Sequence, residues 1–293
     1  MRSIMLPMFP AIVCLLSTPA SSLAQEAPQL WVSTHVDSAP ALDGDIEGLW
    51  SQAVPLSVTV REALGAGAPI TVILRALHTD DAFFVLAQWP DATRSDMRDP
   101  YRWNASSNSY ERPTLPDDQF ALQFPLTGEF QVTMLPGQGS FSTDVWHWKA
   151  GRSNLGGWVD DKRHIISTTP IDNAQVYQMG TYNTVYIARP MDSGTASYVV
   201  VEPPASRTTD VVASFSPQAP SGSLTDVPGK GVHDGENWAL EMGRKFVTCN
   251  PDDRELDPTR PMQCAIAVLN DELYWAHSVS QELLLQFEPA GPR

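Results

Sequence analysis

Basic residues are scarce: 19 Lys and Arg stand against 34 Asp and Glu in 293 residues, a formal net charge of −15. That balance opposes the phosphate backbone and excludes a general nucleic-acid-binding role. It equally disfavours adsorption to an anionic membrane surface. There are three cysteines, and no Cys-x-x-Cys-His, which excludes a covalently attached c-type haem. The chain also lacks Gly-x-Ser-x-Gly, a Gly-rich phosphate loop with its Lys, and His-Glu-x-x-His, so the common hydrolase, nucleotide and zinc-protease signatures are missing. The carboxylates are scattered and suggest no general acid/base pair. His35, His78, His147, His164, His233 and His277 never fall at a zinc-site spacing, and singly each reads as a surface or loop residue.

Long apolar runs are confined to the start. Arg2 precedes an apolar stretch from Ile4 to Leu16, and Ser22-Leu23-Ala24 offers a small-x-small cleavage site. Residues 1–24 read as a secretory signal cut before Gln25. The run is short for a ~30 Å hydrocarbon core, and no later segment is long enough to span one. The expectation is an exported, periplasmic, soluble chain. Cys14 would leave with the signal, and Cys249 and Cys264 would remain around the Asn250-Pro251-Asp252-Asp253 loop. In an oxidising compartment they are expected to pair, a bridge worth roughly 3 kcal/mol if unstrained. Two free thiols are the alternative.

What is present is strand pattern. Leu56–Val60, Ile70–Leu77, Ala82–Trp89, Gln119–Phe124, Phe130–Met134, Ser197–Val201, Trp238–Phe246, Gln263–Leu269 and Glu282–Phe287 are short runs bounded by Gly, Pro, Asn and Asp. Helical periodicity is scarce, and Asp45 to Ala53 reads as a short helix or turn. The expected fold is all-β, an immunoglobulin-like β-sandwich with long loop insertions over 90–118 and 150–230 and a few short helices. No repeat or linker divides residues 25–293, which read as one domain.

The segment from Met134 to Arg152 stands out. It leaves a methionine at a strand end, crosses a Pro/Gly loop, and alternates Trp146 and Trp148 with His147 and Lys149. Strand alternation puts the tryptophans on one side and His147 and Lys149 on the other. A thioether is a soft neutral ligand suited to haem iron. On spacing alone, Met134 reads as core filling.

Several blocks together resemble a known family. They are Ala39-Pro-Ala-Leu-Asp-Gly-Asp-Ile-Glu-Gly-Leu-Trp50, His78-Thr-Asp-Asp81 with Phe83–Trp89, Asp117-Asp-Gln-Phe-Ala-Leu-Gln-Phe-Pro125, Trp146-His-Trp-Lys-Ala150, Gly229-Lys-Gly231 with Asp234–Trp238 and Arg244, and Cys264–Val268 with His277–Ser280. The chain resembles the haem b-binding γ subunit of type II dimethyl sulfoxide reductase-family molybdenum enzymes, the ethylbenzene dehydrogenase γ-subunit family. Its opening pattern is shared with family 9 carbohydrate-binding modules. The resemblance implies one non-covalent haem b in the sandwich with methionine and lysine as axial ligands. Carried over, Met134 takes the methionine position and Lys230 the lysine position, with Lys149 second and His147 third. Trp146 and Trp148 would wall the macrocycle. The implied role is electron transfer, not catalysis. The implied partners are a molybdenum-containing catalytic subunit with an iron–sulfur subunit, or a soluble c-type cytochrome. Gln123, at a position the family tends to keep apolar, and the long 151–228 excursion depart from the pattern.

Two other readings compete. A carbohydrate-binding module-like protein without haem would use some of the nine tryptophans as stacking platforms. A structural scaffold within an exported complex would use none of this chemistry.

Overall fold

The computed structural model describes residues 27–46, 48–63, 65, 67–134, 139–179, 183–271 and 277–289. The proposed signal, 1–24, lies outside them. Fourteen strands build the frame: β1 Gln29–His35, β2 Leu56–Glu62, β3 Ile70–His78, β4 Ala82–Pro90, β5 Gln119–Thr127, β6 Phe141–Lys149, β7 Asp160–Ser167, β8 Gln175–Met179, β9 Asn183–Ala188, β10 Gly229–His233, β11 Asn237–Lys245, β12 Met262–Leu269, β13 Ser278–Val279 and β14 Leu283–Phe287.

They form a β-sandwich. One layer runs β2-β3-β4-β11-β10 and the other β8-β9-β7-β6-β5-β12, with the short β13 joining β12 to β2. β1 lies parallel to β14 and, further along, to β3, and so laces the layers together at one side. Among the described residues no helix is long and apolar enough to cross a membrane. The expected turn near Asp45–Ala53 contains a 3-10 helix, Gly48–Gln52.

Alternation decides what is buried. β3 and β4 point Val72, Leu74, Ala76, Phe83, Val85, Ala87 and Trp89 inward, against Phe120, Leu122 and Phe124 of β5, Trp146 and Trp148 of β6, and Cys264, Ile266 and Val268 of β12. Trp148 meets Trp238 edge-on at 4.9 Å and Trp89 at 6.0 Å, geometries that suit the ring quadrupoles. The β3–β4 layer is apolar on its other face too, where Leu77, Phe84 and Leu86 are covered by Val36, Trp50 and Ala53. Glu241 fixes that cover. Its buried carboxylate accepts from the Gly44 amide at 2.8 Å and Trp50 Nε1 at 2.6 Å.

Three expectations are corrected. Phe130–Met134 is not a strand: it folds back over β5, where Gln123 Nε2 donates to the Gln131 and Val132 carbonyls at 3.4 and 2.9 Å. The supposedly irregular 150–230 region contains β7, β8 and β9, which widen the second layer. The Cys249–Cys264 bridge is absent. Both thiols are free, because inward alternation along β12 seals Cys264 in the core while Cys249 is exposed.

Candidate functional site

The outer face of the second layer carries the site. Register sets its floor. Ala121 of β5 lies between His147 of β6 and Ala267 of β12, and Gln123 lies between Val145 and Ala265. Val145 in turn faces Lys162 of β7. Directly opposed residues share a face, so this grid is continuous across four strands. Alanines at its centre leave room above the sheet, and a cavity of about 320 Å³ stands there.

Met134 lines this cavity together with His147, Lys149, Lys162, His164 and His277. The thioether is carried in by the 131–134 segment folded over Gln123. It packs against a satellite cluster of Phe141, Ile166, Val185 and Ile187 on the same outer face. Around the donors stand Arg98, Arg152 and Arg189. Five of the chain's 19 basic side chains thus converge on one cavity of an acidic protein. Among the described residues that line it, none is acidic. An anionic ligand is the natural complement to that arrangement.

Burial favours the neutral form of the two enclosed imidazoles. Both ring nitrogens of His147, and Nε2 of His164, are buried without a hydrogen-bond partner. Burial drives both imidazoles well below the ordinary histidine range, and the Lys162 and Lys149 ammonium charges push the same way. Lys162 is held well below the usual lysine range by burial first and by Lys149 next. It makes no side-chain hydrogen bond or ion pair among the described residues, because the adjacent carboxylate, Asp160, is taken. Lys149 is ion-paired to Asp160, which also accepts from the Tyr198 hydroxyl at 3.0 Å. A neutral imidazole or amine is a competent metal ligand, whereas its protonated form is not.

The sequence-derived candidates divide accordingly. Met134, His147 and Lys149 come together. Lys230 does not join them: it lies on β10, and its Nζ donates to the Asn154 carbonyl at 3.0 Å. Asn154 explains the displacement. Its side chain accepts from Trp148 Nε1 and the Gly231 amide and donates to the Gly231 carbonyl, clamping β10 to the inner side of β6. Trp146 and Trp148 are fully buried in the core, opposite the cavity, so they wall nothing in it. Lys162, His164 and His277 were missed. Asp160-Asp-Lys-Arg-His164 contains no apolar residue to mark it as a strand, although a period of two puts Lys162 and His164 on one face.

Asn154, Asp117 and Asp160 position the surroundings. Asp117 is fully buried and holds Arg152 through two bonds, 2.7 and 3.1 Å, which fixes a guanidinium at the cavity edge. A soft thioether, several neutral nitrogens, a small-residue floor and a cationic surround suit an iron macrocycle bearing carboxylates.

Among solved structures, the chain resembles a family 9 carbohydrate-binding module from Caldicellulosiruptor kristjanssonii in complex with glucose. The identity is 7% and the TM-score 0.37, covering 89% of this chain and 98% of that one. It also resembles a putative carbohydrate-binding protein from Bacteroides uniformis at 11% identity and a TM-score of 0.43, covering 89% of this chain and 100% of the other. No curated protein matches. A family model described as ethylbenzene dehydrogenase matches residues 47–279, most of the chain and every cavity donor named above, and the chain belongs to that family.

Proposed function

We propose that this chain is an exported, γ-subunit-like electron carrier that holds one non-covalent haem b in the cavity of the second layer. The observation that carries the reading is the meeting of the Met134 thioether with buried nitrogen donors over a floor that includes Ala121, Ala265 and Ala267. Met134 would hold the group through its thioether, with a nitrogen from one of Lys162, His147, His164 and His277. Lys149 serves instead as a fixed charge, held by Asp160. Arg98, Arg152 and Arg189 meet the propionates. When bound, the haem supplies a one-electron couple whose potential a thioether raises relative to a stronger donor.

The chain's own residues do the rest. Val145 and the alanines give the cavity an apolar floor. Single electrons would pass between this domain and a molybdenum-containing catalytic subunit through its iron–sulfur subunit, or to a soluble c-type cytochrome. The acidic surface favours a basic redox partner. Periplasmic location goes with residues 1–24.

The carbohydrate reading finds less support. None of the eight tryptophans among the described residues is exposed; six are at most 2% exposed and Trp103 and Trp158 are half-buried. Stacking platforms for a sugar need an open ring face.

The deciding experiment is the absorption spectrum of protein produced with ample haem. A Soret band and a reducible α band are expected, and Met134→Ala should abolish or strongly alter them. Lys162, His147, His164 and His277, each changed to Ala, identify the nitrogen ligand, and Lys230→Ala should leave the spectrum unchanged. A folded, colourless protein, or an unchanged low-spin spectrum in Met134→Ala, defeats the proposal.

A further inference from the structure

A second polar cluster lies on the opposite, inner side of the strands that carry the cavity. Asp144 of β6 and Asp161 of β7 point toward β11, whose Arg244 reaches across the sandwich. Its Nη1 is 2.9 Å from Asp144, 3.3 Å from Asp253 and 3.4 Å from Asp161. The guanidinium also lies over the Trp146 ring at 5.0 Å. Beside this group stand Asp192 and Asp252, so five buried carboxylates share one region. Two triads, Asp144-Asp161-Asp253 and Asp192-Asp252-Asp253, each bring one oxygen per residue within 4.8 Å of the others.

The cations present do not balance them. Arg244 is shared among three carboxylates, and Arg163 stands 3.8 Å from Asp192 with its side chain partly exposed. Asp252 is satisfied locally, by the Ser193 amide at 3.0 Å and the Ser223 hydroxyl at 3.1 Å. Asp144 Oδ2 also accepts from the Arg254 amide at 2.8 Å, leaving Oδ1 open. Asp192 differs from these. It is 4% exposed, points into the second triad, and neither of its oxygens has a hydrogen-bond partner. Asp161 Oδ1 is likewise buried and unpartnered. An unpaired carboxylate in such a place costs several kcal/mol.

We infer that Asp192, Asp252 and Asp253 form a site for a hard divalent cation of the calcium type, with Asp161 Oδ1 and Asp144 Oδ1 at its margin. The donor set is all oxygen, as calcium requires, and two oxygens each about 2.4 Å from a shared ion lie at most about 4.8 Å apart. Burial first, and like charge after it, raises Asp192 to about 8 and Asp253 to about 6, and a bound cation would supply the missing counter-charge. The ion would tie the 189–193 and 246–256 connections to β6 and β7, and so brace from beneath the strands that carry His147, Lys162 and His164. This inference does not depend on haem.

The test is calorimetric titration of calcium chloride into the full chain stripped with EDTA, with thermal unfolding followed alongside. One calcium per chain and a Tm that climbs with calcium concentration are expected. Asp192→Asn should weaken calcium affinity at least tenfold and flatten the Tm response. Because the amide keeps the shape of the carboxyl without a charge to desolvate, this variant should fold about as well as the stripped wild type. No binding heat and no Tm change up to 10 mM calcium, binding of magnesium alone, or an undiminished calcium response in Asp192→Asn would each overturn the assignment.

Discussion

Lys162 provides the sharpest test of the cavity's electrostatics. The residue is 6% exposed, has no carboxylate of its own, and stands beside Lys149, whose counter-ion Asp160 is already engaged. Lys162→Met keeps the length of the stem and removes the nitrogen. In haem-free protein this should stabilise the fold by about 1–3 kcal/mol near neutral pH, the usual cost of a buried polar group without a partner. The pH dependence is more specific. Burial depresses the folded pKa, so above it the unfolded chain binds a proton that the folded chain lacks. This group's contribution to stability therefore rises with pH, by about 1.4 kcal/mol per unit, until the unfolded lysine itself loses its proton near 10.5. Between pH 8.5 and 9.5 wild type should gain on Lys162→Met by close to that amount. Urea unfolding at the two pH values, with equal m-values required, measures it. A constant difference between the two proteins would mean that folded Lys162 is charged, and would remove it from the set of possible metal ligands.

Other expectations follow from single contacts. Asp160→Asn strips the counter-ion from buried Lys149 and one partner from Tyr198, and should cost about 3–5 kcal/mol in urea unfolding; a loss below 1 kcal/mol would show the pair to be dispensable. Gly231→Ala places a Cβ 2.4 Å from Trp148 Cζ2, with no room on the clamped β10 backbone, and should cost about 1–3 kcal/mol. Thiol labelling of native protein should modify Cys249 and spare Cys264 until denaturant is added, while reductant leaves Tm unchanged; a reductant-dependent Tm would restore the disulfide.

The layers were legible because burial repeats every two residues. Ile70–Leu77, Gln119–Phe124 and Gln263–Leu269 each carry a periodic apolar signal and Ala82–Trp89 an almost continuous one, and each is a strand in the structure. The Trp146-His147-Trp148-Lys149 alternation was readable for the same reason, and its two faces point as the period demands. β7 escaped notice because its inner residues include Asp161 and Arg163 and its outer ones Asp160, Lys162 and His164. Hydrophobicity marks a strand only when one face meets an apolar core, and β7 meets Arg244 on one side and the cavity on the other.

The amino-acid order alone determined the all-β class and the opposed faces of β6. It did so because these depend on local alternation and on side-chain chemistry. Which nitrogens share a cavity with Met134 was decided only by tertiary structure. Strand register brings Lys162 of β7 opposite Val145 of β6, and the Asn154 clamp carries Lys230 to the other side. The same long-range pairing, joining Arg244 to Asp144 a hundred positions away, gathers the buried carboxylates. No local pattern encodes such meetings, since each partner satisfies its own strand or loop rules whether or not the other is there.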